Sequence, residues 1–159
     1  MAARNEIARS DHERFMRAAI EEGRRNAAWP FGAVIVDAES GEILARGFNQ
    51  SHRNITFHGE IVAFNTYVEA FGHENLPARI LYTTAEPCPM CMGALIWAGI
   101  GGVVFGTSIA RLQECGIRQI TISSEQLCAE ASFYDGFVMG GILSDETDRL
   151  FRDRPLSAP

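Results

Sequence analysis

The chain contains no lysine. All 14 of its basic residues are arginine, set against 20 aspartates and glutamates, for a formal net charge of −6. An acidic total lacks the concentrated basic surface with which polynucleotide binders displace counterions, so nucleic acid is disfavoured as a partner. No apolar run reaches 18 residues, which excludes a transmembrane helix. The stretch Met1 to Glu6 has no apolar signal core, and the expected location is cytoplasmic. Cysteine is scarce, with four residues at Cys88, Cys91, Cys115 and Cys128. In a cytoplasmic chain these do not form stabilising disulfides. The close pair is then metal-binding or redox-active, and the other two are expected as buried packing residues.

What is present is enough for one domain over residues 1–159, with a single core. Arg4, Arg9, Arg14, Arg17, Arg24 and Arg25 crowd the start, but Glu6, Asp11, Glu13, Glu21 and Glu22 interleave with them, the pattern of a solvated helix face. Periodicity predicts a helix from about Asp11 to Asn26, strands over Phe31–Asp37 and Glu42–Phe48 joined by a turn at Glu39–Gly41, and a helix over Ile61–Phe71. A third strand is predicted over Arg79–Thr84. A proline-started helix follows over Pro89–Ala98, ended by Gly99, and then a fourth strand over Gly102–Gly106. The stretch Thr107–Gln119 admits a short helix. Ser123 to Gln126 reads as a capping box, Phe137–Leu143 as a fifth strand, and Ser144 as the cap of a last helix. Helices interleaved with strands predict a three-layer α/β/α sandwich around a five-stranded mixed sheet, antiparallel at the opening hairpin.

Two short motifs carry chemistry. His58-Gly59-Glu60 and Pro87-Cys88-Pro89-Met90-Cys91 each lie at the start of a predicted helix, 30 residues apart. One His and two thiolates supply three zinc ligands and leave a fourth position open, as in a catalytic site rather than a structural one. Such a zinc lowers the pKa of a bound water towards neutrality. Glu60, two residues from the His, is placed to take that water's proton; it also suits a helix N-terminus as a dipole-stabilising carboxylate. His12, His52 and His73 read as plain polar residues. A zinc-binding module without catalysis would leave Glu60 idle, and a redox Cys-x-x-Cys protein would leave His58 idle.

His-x-Glu followed by Pro-Cys-x-x-Cys is the signature of the zinc deaminases of nucleobases. Together with Pro30-Phe31-Gly32-Ala33-Val34-Ile35-Val36, Gly47-Phe48-Asn49, Leu81-Tyr82-Thr83-Thr84 and Glu86 to Ala94, it makes the chain resemble the cytidine/deoxycytidylate deaminase superfamily from about Phe15 to Thr107. The likeness extends to its guanine deaminase, yeast-type cytosine deaminase and tRNA adenosine deaminase branches. The resemblance implies zinc on His58, Cys88 and Cys91, with Glu60 as the catalytic proton shuttle. It implies substrate contacts from Asn49, Phe31, Trp97 and Gly59. Asn49 also suits a turn, and Phe31 and Trp97 suit core as well as pocket. The implied reaction consumes water and releases ammonia. The resemblance also implies a homodimer, for which Val103, Val104 and the helix after the cysteines are the candidate face.

The implied substrate is a small free nucleobase or related amino-heterocycle, a guanine-like purine first and cytosine second. Pro30 to Val34 and Trp97 are similar to guanine deaminase. Where that enzyme supplies an acid, this chain reads Cys115-Gly116-Ile117-Arg118-Gln119. Gly59 stands where most of the branch carries Ala, a feature shared with yeast-type cytosine deaminase, whose tail Phe151-Arg152-Asp153 would match by closing over a small ring. Val103 to Gly106 is shared with the tRNA deaminases, but Asp145, Glu146 and Asp148 interrupt Arg149, Arg152 and Arg154, so no phosphate track forms.

Overall fold

A computed structural model describes residues 7–156 of the chain. Arg4, Glu6 and the stretch Met1 to Glu6 on which the signal-segment expectation rests fall outside them, as do residues 157–159. Six helices and five strands follow in the order α1 (Arg9–Gly23), β1 (Gly32–Asp37), β2 (Ile43–Phe48), α2 (Gly59–Phe71), β3 (Arg79–Ala85), α3 (Pro89–Ala98), β4 (Gly102–Thr107), α4 (Ile109–Glu114), α5 (Ser124–Glu130), β5 (Phe137–Met139) and α6 (Ser144–Arg152). The strands form one sheet in the order β2-β1-β3-β4-β5. β1 runs antiparallel to β2 and β3, whereas β3, β4 and β5 are parallel. This is the expected five-stranded mixed sheet.

Strand alternation divides the core in two. Ala33, Ile35, Leu81 and Val103 face α2 and α3, where they meet Tyr67, Met92, Leu95 and Ile96. Val34, Val36, Ile80, Tyr82 and Val104 face the opposite way, onto Phe15, Met16, Ala19 and Ile20 of α1 and Leu150 of α6. Helices therefore cover both sheet faces, completing the α/β/α layering. Val103 and Val104 are fully buried within the chain and offer no dimer face. The outer side of α1 carries ion pairs Arg9–Glu13, Arg14–Asp11 and Arg17–Glu13, as the interleaved charges predicted. Its inner side holds a departure. His12 is buried, and its Nδ1 lies 2.9 Å from the Tyr82 hydroxyl, so it is a core residue and not a plain surface one. Burial pushes the His12 pKa down, against the opposing charge of Asp11.

Several boundaries shift for visible reasons. α1 stops at Gly23, where the chain passes against the start of β1: a Cβ on Gly23 would lie 2.6 Å from the Pro30 carbonyl oxygen, and one on Gly32 would lie 2.2 Å from that of Ala19. β5 keeps only three of seven predicted residues, because Gly140 packs on the Phe105 ring and Gly141 turns the chain at φ +84°. Ser144 does not cap α6. The cap position is Leu143, in the left-handed region at φ 52°, and it makes no side-chain capping bond. The Ser123 capping box is present with both of its bonds, and the expected short helix between Thr107 and Gln119 is α4. Cys115 and Cys128 are half-buried and unbridged, each packed at the edge of an apolar cluster. Among the described residues no helix is long and apolar enough to cross a membrane.

α2 approaches β2 through Gly47, where a Cβ would meet the Ala63 nitrogen at 2.3 Å and the Gly59 carbonyl oxygen at 2.6 Å. Both are backbone atoms and have no rotamer with which to yield. Gly47→Ala is therefore expected to cost about 1–3 kcal/mol, read as a lowered denaturation midpoint. An unchanged midpoint would refute the close approach.

Candidate active site

Two helix starts converge on one point. His58 is the N-cap residue of α2, and Cys88 is the N-cap of α3, with Pro89 in its first turn. Both caps hold extended backbone, at φ −67°, ψ 158° and φ −63°, ψ 163°. Cys91 sits one turn into α3. Glu60 lies inside the first turn of α2 rather than ahead of the helix. The chain is held in this arrangement by Thr84, whose hydroxyl donates to the Pro30 carbonyl at 2.9 Å and accepts from Gly32 N–H at 3.1 Å. That pair of bonds pins the loop before β1 to the end of β3, from which the cysteines follow.

His58 Nδ1 lies 3.5 Å from each of Cys88 Sγ and Cys91 Sγ, and the two sulfurs are 3.6 Å apart. Tetrahedral zinc with ordinary Zn–N and Zn–S bonds sets neighbouring donors about 3.5–3.8 Å apart. The three atoms are already spaced for that ion. These are the residues that form a metal-ligand cluster among those described. Cys88 is held down to about 4, chiefly by the hydrogen bond from the Cys91 thiol and then by His58; the same bond, with burial, pushes Cys91 up. His58 is pushed up, chiefly by its bond to Cys88. A thiolate beside a thiol and an imidazole, at helix N-termini, is the donor chemistry of a zinc centre.

Glu60 is 3% exposed and accepts from the Thr83 hydroxyl at 3.1 Å. Burial raises its pKa, with a further push from Cys88. A carboxylate raised by desolvation beside a metal site can both take and return a proton.

Above these groups lies a cavity of about 460 Å³. Its deep lining includes His58, Cys88, Glu60, Asn49 and Glu86, and its other walls are Trp29, Phe31, Ser51, Ile55 and the run Ile117 to Gln119. Asn49 closes a turn and also lines the cavity. Its Oδ1 accepts from Ser51 N–H at 3.1 Å and Ser51 Oγ at 2.5 Å, closing a turn, while its Nδ2 has no protein partner among the described residues. Phe31 lines the cavity and also packs at a tilt against Phe151, with centroids 4.8 Å apart.

Three sequence expectations are corrected. Trp97 does not line the cavity; it is 80% exposed on the outer side of α3 and packs at a tilt on Phe133, with ring centroids 4.9 Å apart. Gly59 is buried outside the lining, and a Cβ there would lie 2.5 Å from the Phe31 carbonyl oxygen, so its smallness serves packing. The Phe151 tail does not close over the cavity. Phe151 is fully buried behind Phe31, and Arg152 and Asp153 pair with each other in solvent.

Comparison with known proteins decides the family. The model for the cytidine and deoxycytidylate deaminase zinc-binding region matches residues 9–107. The chain belongs to this family. It is thereby one of the zinc-dependent hydrolytic deaminases, which act on C–N bonds. The deaminase chain is 35% identical to guanine deaminase of Bacillus subtilis, over 72% of this chain and 76% of that one. It is 31% identical to the tRNA-specific adenosine deaminase of the same organism, over 83% and 86%. It superposes on guanine deaminase from Nitrosomonas europaea with a TM-score of 0.77 at 28% identity, covering 89% of this chain and 82% of that one. The chain spans only 20% of the length of another relative, a tRNA(Ile)-lysidine synthase of Deinococcus radiodurans.

Sequence reasoning gave Glu86 no role beyond the motif. It is buried, with one carboxylate oxygen 2.9 Å from Ile109 N–H and the other 2.8 Å from Ser124 N–H, so it ties the starts of α4 and α5 beside the cavity. The capping box at Ser123 was the sole local sign that a backbone N–H there needed an acceptor. Glu86→Gln leaves one buried N–H facing another donor. It is expected to cost about 1–3 kcal/mol in chemical denaturation, and an unaltered midpoint would remove the tie.

Proposed function

We propose that this deaminase acts on a free nucleobase or related amino-heterocycle, with a guanine-like purine favoured. The observation that carries the reading is the cavity itself: about 460 Å³, with the aromatic walls Trp29 and Phe31, and lined by Glu60 and by two of the three metal donors, His58 and Cys88. That volume suits a small planar ring. The similarity to guanine deaminases in sequence and structure supports a purine. A second reading, a tRNA adenosine, is favoured by similarity to tRNA-specific adenosine deaminases that extends over 83% of the chain.

His58, Cys88 and Cys91 would hold zinc, which when bound supplies a Lewis acid that acidifies a water. Glu60 would take one proton from the attacking water and pass it to the ring nitrogen beside the reacting carbon, then take the second from the newly attached hydroxyl and pass it to the departing amine. One C–O bond forms, one C–N bond breaks, and ammonia leaves. Asn49 Nδ2 donates to the ring edge, and Phe31, braced by Phe151, presents a flat wall to the ring. Glu60→Gln is expected to keep about one zinc per chain while ammonia release falls at least about a thousandfold, and Cys88→Ala to lose the metal. Substantial turnover by zinc-loaded Glu60→Gln would sink the assignment. An ammonia-coupled screen over guanine, cytosine, adenine, their nucleosides and tRNA tests the substrate class.

The oligomer is proposed as a homodimer formed through the outer side of α3. Met90 and Trp97 stand exposed on one helix face, with Gly93 and Ala94 between them, and Phe133 extends the patch. Aromatic and Met side chains flanking a notch of small residues suit burial against a second copy. Trp97→Glu is expected to convert a sedimenting dimer to monomer at micromolar concentration. A monomeric wild-type protein would overturn the proposal.

A further inference from the structure

The cavity holds one arginine, Arg118, and no acidic group among the described residues pairs with it. Among the described residues it makes no hydrogen bond and no ion pair, although every other arginine there except Arg24, which lines a separate groove, has a partner. The two carboxylates of the cavity are engaged elsewhere. Glu60 is bonded to Thr83, and Glu86 spans the Ile109 and Ser124 N–H groups.

The backbone that carries Arg118 is fixed. Ile117 is 4% exposed in a cluster with Ala85, Leu112 and Phe151, its N–H donates to Leu112, and Gly116 makes the preceding turn at φ +78°. The guanidinium is exposed and belongs to the outer part of the cavity with Ile55 and Trp29, whereas Glu60, Asn49 and Glu86 are buried at its floor. A ring that points its amine at the floor presents its opposite edge or substituent to Arg118.

We propose that Arg118 is a specificity-determining residue, selecting amino-heterocycles that carry a hydrogen-bond acceptor, a carbonyl oxygen or an anionic group, remote from the amine. This rests on the deaminase reading above and names the chemistry of its substrate. A guanidinium offers only donors and keeps its charge at any working pH. An amine or ring N–H at the same place would set donor against donor and leave both without partners. Gln119, beside it, can donate or accept and does not alter that sign.

Three matched comparisons with ammonia release as readout test it: cytosine against 2,4-diaminopyrimidine, 8-oxoguanine against 8-aminoguanine, and a nucleoside against its 5′-monophosphate. The acceptor-bearing member of at least one pair is expected to exceed its partner in kcat/KM by about tenfold to a hundredfold, the span of a charge-assisted hydrogen bond. The pair that shows it tells a ring carbonyl from a phosphate. Arg118→Gln should collapse that ratio towards one with zinc content unchanged, and Arg118→Glu should invert it. A wild-type preference for the donor-bearing members, or equal losses on both members in Arg118→Gln, overturns the inference and leaves the deaminase reading standing. No ammonia from any probe or from tRNA, with zinc bound, overturns that reading and this inference with it.

Discussion

Two helices that begin at different places in the sequence must end their first turns within one coordination sphere. Everything near the cavity follows from meeting that requirement. His58 and Cys88 can serve because each is an N-cap, where the backbone is still extended and the side chain projects ahead of the helix. The positive ends of both helices then face the donors, which favours thiolate over thiol. The sheet supplies the registration: β3 delivers the cysteines, and Thr84 locks its end to the loop that opens β1. A displacement of either start by one residue would move a donor by more than an ångström and open the 3.5–3.6 Å triangle.

The same economy governs the walls. Phe31 both lines the cavity and packs on the core residue Phe151, and Asn49 closes a turn with Oδ1 while it lines the cavity. Groups used twice in this way are held rigidly by their structural half, which is how a small domain keeps binding atoms in place without a large supporting shell.

The sheet, its six helices and the metal donors were legible in the sequence, because each is written locally. Alternation marked the strands, Pro89 and Gly99 bracketed α3, and the spacing of His58, Glu60, Cys88 and Cys91 stated the chemistry. What was not legible depends on contacts between distant segments. Nothing around His12 announces Tyr82, 70 residues away. Trp97 has the composition of a pocket residue, but the helical turn on which it falls points outward. Phe151 looked like a lid and is a buttress, because its partner, Phe31, lies at the other end of the chain. Arg118 was legible only as part of a segment that lacks the acid of guanine deaminase, since its place in the cavity is set by Ile117 folding into a cluster and by Glu86 holding the segment's neighbours.

Gly59 joins the two halves of the site mechanically. It separates the metal donor His58 from the acid Glu60, and its bare Cα lets the Phe31 carbonyl approach to where a methyl group would stand. The aromatic wall and the metal corner are thus in direct backbone contact, with no compressible side chain between them. The width of the substrate slot and the placement of the donors cannot drift independently: a variant that widens the slot by moving the Phe31 backbone outward withdraws the support against which the start of α2 rests. Adaptation to larger rings is therefore easier at Ile55 and Arg118, whose exposed side chains can be shortened without disturbing the metal corner.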